Sequence, residues 1–205
     1  MSTTSDFEQR VSKSIAASIA VKQRLLDSAE IRSAVAKISE TLVEAFKKGN
    51  KLFLFGNGGS AADSQHIAAE FVGRFAFDRP PLPALALSVN TSCVTAIGND
   101  YGFDLVFARQ LEALGKSGDV AVGISTSGNS PNVLQGLAAA RKMGMPTVAF
   151  AGCTGGKMKD AADYCICAPS SETPRIQECH ILIGHIISEL VEHTIFHEQS
   201  RVSRS

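Results

Sequence analysis

The sequence predicts an α/β fold in which a parallel sheet is covered by helices on both faces. Three observations carry this. Short apolar runs recur through the middle of the chain, each is followed by a turn, several of them rich in Gly, Ser or Thr, and stretches of helical apolar spacing stand between the runs. Strands alternating with helices in this way pair in parallel, because the crossover helix returns the chain to the same end of the sheet.

Taken in order, Phe7 to about Leu26 and about Ile31 to Phe46 repeat apolar residues at helical spacing, so two N-terminal helices are expected, with Gly49 as the stop. Lys51–Phe55 is a short apolar run meeting Gly-Asn-Gly-Gly and then an alanine-rich amphipathic stretch, the pattern of a buried strand turning into a helix. The same unit recurs at Ala84–Leu87 before a Thr/Ser-rich turn, at Asp119–Ile124 before Ser-Thr-Ser-Gly, and at Pro146–Phe150 before another glycine-rich turn. Tyr164–Cys167 is a fifth, weaker strand. From Thr173 a long helix is expected, with Ile176, Cys179, Ile183, Ile186, Leu190 and Ile195 as its apolar positions and a tail that frays from Ser200. One domain over 1–205 follows: a helical N-terminal segment over 1–50, an α/β core over 51–170 and a C-terminal helix over 171–199.

Twenty basic and twenty acidic residues in 205 give no net charge, so the chain has no global positive field to hold a polyanion, and nucleic acid is excluded as a direct partner. No apolar run approaches the ~20 residues needed to span a bilayer, and the N-terminus lacks the basic start and apolar stretch of a signal peptide. A cytoplasmic protein without membrane contact is expected. Five cysteines without C-x-x-C spacing suit reduced, mostly buried thiols; Cys165 and Cys167 fall on one side of a strand, as core packing.

In an open parallel sheet ligands bind beyond the carboxyl ends of the strands, and two of those turns stand out. In Gly56-Asn-Gly-Gly-Ser-Ala-Ala-Asp63, glycines admit a ligand close to the backbone and Ser60 is placed to cap the next helix. Ala61 stands where a dinucleotide fingerprint needs glycine, and no Gly-Lys-Ser/Thr follows, so nucleotide binding loses its support. In Ser125-Thr-Ser-Gly-Asn-Ser130, four hydroxyls precede a helix starting near Pro131, more than a cap requires and well suited to a phosphate dianion. His66 and Glu70 lie four apart on the helix after the first turn, so one face carries both toward the crevice and they are placed to share a metal. His193 and His197 repeat that spacing near a helix C-terminus with no third ligand nearby, which favours a dipole complement over a site.

The segments Gly56-Asn-Gly-Gly-Ser-Ala61, Pro81–Leu87, Ile97-Gly-Asn-Asp100, Ser125-Thr-Ser-Gly-Asn-Ser130 and Arg175-Ile-Gln-Glu-Cys-His180, in one order, resemble the sugar isomerase (SIS) domain family over nearly the whole chain. The resemblance implies a flavodoxin-like three-layer sandwich with a five-stranded parallel sheet. It also implies a homotetramer with active sites at subunit interfaces and the helical segment over 1–50 as its oligomerisation segment, and conversion of sedoheptulose 7-phosphate to D-glycero-D-manno-heptose 7-phosphate through an enediol, for lipopolysaccharide or capsule. It carries over one zinc ion per subunit on His66, Glu70, Gln177 and His185, with Glu70 as base and His185 as acid. As contacts to the phosphorylated seven-carbon sugar it carries over Asn57, Gly58, Gly59, Glu70, Asn99, Asp100, Ser125, Thr126, Ser127, Ser130 and Gln177, although Asn99-Asp100 alone reads as a turn. Eight helical residues separate Gln177 from His185 by about 12 Å along the axis and roughly 80° around it, so either the helix start is distorted or different subunits supply the two ligands, the second being preferred. The family also holds a non-catalytic binding protein that associates with a replication initiator. There the positions equivalent to Glu70 and His185 are not retained, whereas all four polar residues stand here, which favours the enzyme.

Overall fold

A computed structural model describes residues 4–202, with side chains described through residue 196. Two helices open the chain, α1 (Thr4–Asp27) and α2 (Ala29–Lys47), separated by Ser28, whose hydroxyl accepts from the Ile31 amide at 3.2 Å and so starts the second helix. There follow β1 (Leu52–Gly56), α3 (Gly59–Val72), β2 (Ala84–Ala86), α4 (Thr91–Tyr101), a 3-10 turn at Phe103–Leu105, α5 (Ala108–Leu114), β3 (Val120–Ser125), α6 (Pro131–Lys142), β4 (Thr147–Ala151), α7 (Met158–Ala161), β5 (Tyr164–Cys167) and α8 (Thr173–Val202).

The five strands pair in parallel in the order β2-β1-β3-β4-β5, the flavodoxin-like arrangement, with Gly56 beside Ile124 and Ser125 beside Ala151 at their carboxyl ends. Alternation along the strands builds two cores. Leu52, Leu54, Val122, Ile124 and Phe150 point to one face and pack under α1, α2, α3 and α8; Phe53, Phe55, Ala121 and Ala149 point to the other, under α5 and α6. Three layers result, and both sheet faces are covered, which is why the strands read as unbroken apolar runs.

Three expectations are corrected. Along α8 the buried positions are Ile176, Cys179, Ile183, Ile187, Val191 and Ile195, whereas Leu190 is exposed and Ile186 half-buried: the inward stripe follows the true 3.6-residue period, and Leu190 belongs to an outward apolar face. This helix also continues through Val202, past the fraying expected from Ser200; the side chain of His197 lies outside the described residues. The thiols are free but only Cys179 is buried; Cys153 is exposed and Cys93, Cys165 and Cys167 are half-buried. Cys165 and Cys167 do face the same side, with sulfurs 3.8 Å apart, and burial followed by the neighbouring thiol pushes the Cys165 pKa up to about 12.

Candidate active site

The site forms where β1 and β3, neighbours in the sheet, release the chain at the same edge. After β1 the backbone turns through Gly58 at φ +55°, a conformation open to glycine, and α3 begins. Gly58, not Ser60, occupies the cap position: Ser60 is buried in the first helical turn and caps nothing, a correction to the sequence reading. After β3 the serine loop runs over Ser125–Ser130 and α6 starts on Pro131. An amide pair missed in the sequence ties the two turns. Asn57 donates to Asn132 Oδ1 at 2.9 Å, Asn132 donates back to Asn57 Oδ1 at 2.8 Å, and Asn132 is 2% exposed.

Within the loop, Ser130 stands at the helix cap without making the cap hydrogen bond; its hydroxyl instead lies 2.9 Å from Ser125 Oγ, which is 3.3 Å from Ser127 Oγ. Hydroxyls gathered on one another rather than spent on helix amides are free to turn toward an oxyanion, the property a cap would have removed. A third turn, after β4, holds this loop from behind: Gly152 donates to the Thr126 carbonyl at 3.0 Å, Met158 to the Gly128 carbonyl at 3.0 Å and Lys157 to Asn129 Oδ1 at 3.0 Å.

On α3, His66 and Glu70 meet one turn apart with Nε2 to Oε1 at 3.1 Å, and α8 brings His185 Nε2 to 3.1 Å from His66 Nε2. One ligand atom from each of the three lies within 4.8 Å of the others. Two imidazole nitrogens and a carboxylate oxygen converging on one point form the donor set that zinc takes in sites with three protein ligands and an open position, so these residues fit the implied ion. The ring of Phe75 lies 5.9 Å from that of His185 and walls it.

Gln177 is elsewhere. Its side chain lies against Gly59 at the start of α3, so closely that a Cβ on Gly59 would strike it, whereas His185 meets His66 two turns further along both helices. α8 is an unbroken helix through both residues, so a distorted helix start is ruled out. Asn99 and Asp100 are likewise not in a turn: they are exposed on the final turn of α4, Asn99 donating to Asp100 Oδ1 at 2.8 Å, and Asp100 lines a cleft of ≈ 550 Å³ between α4 and α5.

Asp63 was not anticipated. It sits one turn before His66 on α3, its Oδ2 is buried with no hydrogen-bond partner, and burial raises its pKa against the opposing pull of His66. The signal was present as an acid three residues before a helical histidine, a spacing that shares a face as surely as four. His180 is fully buried; its Nε2 lies 3.1 Å from the Ala151 carbonyl at the end of β4, and burial drives its pKa down to about 4.

Known proteins resemble this chain in sequence and in fold. The SIS domain matches residues 16–152. The chain is 54% identical over 182 residues to the phosphoheptose isomerase of Aneurinibacillus thermoaerophilus, covering 89% of this chain and 92% of that protein. Among solved structures it is similar to a phosphoheptose isomerase from Neisseria gonorrhoeae, with 42% identity, a TM-score of 0.84 and coverage of 91% of this chain and 98% of that one. A phosphoheptose isomerase from Francisella tularensis gives 32% identity, a TM-score of 0.87 and coverage of 93% and 100%. Among the described residues no helix is long and apolar enough to cross a membrane.

Proposed function

Because the chain belongs to the SIS domain family and is a phosphosugar isomerase, we propose that its substrate is sedoheptulose 7-phosphate and its product D-glycero-D-manno-heptose 7-phosphate. The heptose would be made in the cytoplasm for cell-envelope glycans such as lipopolysaccharide or capsule. The observation that carries the reading is the convergence of His66, Glu70 and His185 on α3 and α8, the helix following the glycine turn and the helix packed against it.

Moving a carbonyl from C2 to C1 requires a proton to leave C1 and another to reach C2, with negative charge held on oxygen between the two events. The hydroxyls of Ser125, Thr126, Ser127 and Ser130, with the N-terminal end of α6, hold the phosphate; the helix dipole adds about 0.3–1 kcal/mol at an exposed end. Asn57, Gly58 and Gly59 bring backbone close to the sugar. Glu70 takes the proton from C1 and His185 delivers one at C2, a role suited to imidazole near neutral pH. His66, Glu70 and His185 would hold zinc, which when bound supplies charge stabilisation for the enediolate. Gln177, about 12 Å from His185 along one helix, serves the site of a second copy, which makes the enzyme an obligate oligomer, a homotetramer by family pattern. Asn99 and Asp100, exposed on α4, would meet substrate in the same shared way.

The experiment is incubation with sedoheptulose 7-phosphate in heavy water, with and without a chelator. Deuterium beside the carbonyl is expected from the wild type and is lost in Glu70→Gln, which still binds the phosphosugar. Wild-type turnover of other phosphosugars but not of this one would overturn the substrate assignment, and near-normal exchange in Glu70→Gln would overturn its role.

A further inference from the structure

Arg79 and Glu192 form the most enclosed ion pair among the described residues, with Nε to Oε2 at 2.7 Å and side chains each 1% exposed. Neither lies in the cluster of His66, Glu70 and His185, and a buried pair of this kind is often no more stabilising than well-packed apolar residues of the same volume. Its partners indicate another role. Arg79 donates from Nη2 to the Glu70 carbonyl at 2.8 Å and from Nη1 to the Phe71 carbonyl at 2.7 Å, both in the last turn of α3, and from Nη1 to the Pro80 carbonyl at 3.0 Å; the Phe71 carbonyl also accepts from the Leu82 amide at 3.0 Å. Its guanidinium lies 5.5 Å from the ring centre of Phe196 on α8. Glu192 accepts from the Phe75 amide at 2.8 Å and the Ala76 amide at 2.7 Å, and Phe75 is the residue whose ring walls His185. Glu192 itself stands seven residues beyond His185, two turns along the same side of α8.

From these contacts we infer that Arg79 and Glu192 are positioning residues, a clamp that fixes α3 against α8 so that Glu70 and His185 face one another and Phe75 closes on the His185 ring. The guanidinium is suited to this because its planar fork reaches three carbonyls and a carboxylate at once, which an ammonium cannot do. The inference rests on the isomerase reading for its catalytic consequence, but the geometry it describes is independent of any metal.

Two measurements on the full chain test it, with the pair replaced by apolar residues of similar size, Arg79→Met with Glu192→Leu. Zinc affinity, read by competition with a chelator, is expected to weaken about 10- to 100-fold, and kcat to fall comparably while KM stays within about twofold. Without metal, the proton NMR contact between the Phe75 and His185 rings is expected to disappear. A folded double variant that keeps both zinc affinity and that contact would overturn the clamp. If the double variant does not fold, Arg79→Lys carries the same readings, since it keeps the charge but loses the fork; wild-type values in it would be equally adverse. A wild-type chain that takes up no zinc would sink the metal reading alone, and the ring contact in the variants would still decide the clamp.

Discussion

His180 shows how a single buried side chain sets a pH limit on the molecule. It is fully enclosed, its ring 5.8 Å from that of Phe150, with one nitrogen at the Ala151 carbonyl and the other, Nδ1, without a partner. Burial holds its pKa at about 4, below the ordinary 6.5, although the carbonyl pulls the other way. The neutral ring is therefore the folded form. Between pH 6.5 and 4 the unfolded chain binds a proton that the native chain refuses, so this residue lowers stability as pH falls through that window and adds nothing further below it. The full shift corresponds to about 3 kcal/mol at most. Urea unfolding at pH 7 and pH 4.5 is expected to show a smaller acid loss in His180→Gln than in the wild type, with Glu and Asp titrations common to both. Equal losses would mean that the ring protonates in place.

At the scale of elements, the strands were legible because a sheet covered on both faces leaves no polar alternation: β1 and β3 are buried from end to end, and β3 stays apolar until Ser125 closes it. The Ile97–Asp100 segment was not: Gly98 and the Asn-Asp pair have turn chemistry, yet Asn90 caps α4 through the Cys93 amide at 3.0 Å and the helix runs through them to Tyr101. His66 and Glu70 were legible as an i, i+4 pair, and His185 entered only through resemblance, since 119 positions separate it from the ring it faces. Nothing in local spacing joins Arg79 to Glu192, 113 positions on, or Asn57 to Asn132, 75 positions on. Such pairs exist only once the sheet has set its order. The serine loop offers the test at this scale, because Gly128 has φ +66° and a Cβ there would overlap the Gly155 carbonyl behind it. Gly128→Ala combines roughly 1–2 kcal/mol of backbone strain with a clash that pushes the loop off the third turn. Phosphosugar affinity by calorimetry is expected to fall about tenfold or more while zinc affinity at His66, Glu70 and His185 is unchanged; unaltered phosphosugar binding would show that the loop does not hold the phosphate.

The whole molecule carries an apolar surface that one chain does not cover. Phe7, Val11, Ile15 and Ile19 stand four apart along α1, each more than half exposed, and a groove of ≈ 330 Å³ between the α1–α2 pair and α8 is lined by Leu25, Leu26, Ile186 and the outward Leu190. A stripe at that spacing on one helix face is what a second helix packs against, and the groove is continuous with the helix that bears both Gln177 and His185. Under the proposed shared site, a second copy of the chain would meet both the separation of those two along α8 and the uncovered α1 face. Mixing decides it. Chains carrying Gln177→Ala and chains carrying His185→Ala are each expected to be inactive. Were both ligands drawn from one chain, mixed assemblies would hold no intact site. If a two-fold interface supplies Gln177 from the neighbour, half of randomly formed pairs are mixed and each mixed pair holds one intact site, so about a quarter of wild-type activity should return. Native mass spectrometry would establish that mixed assemblies had formed, and mixed assemblies with no activity would mean that Gln177 serves the chain to which it belongs.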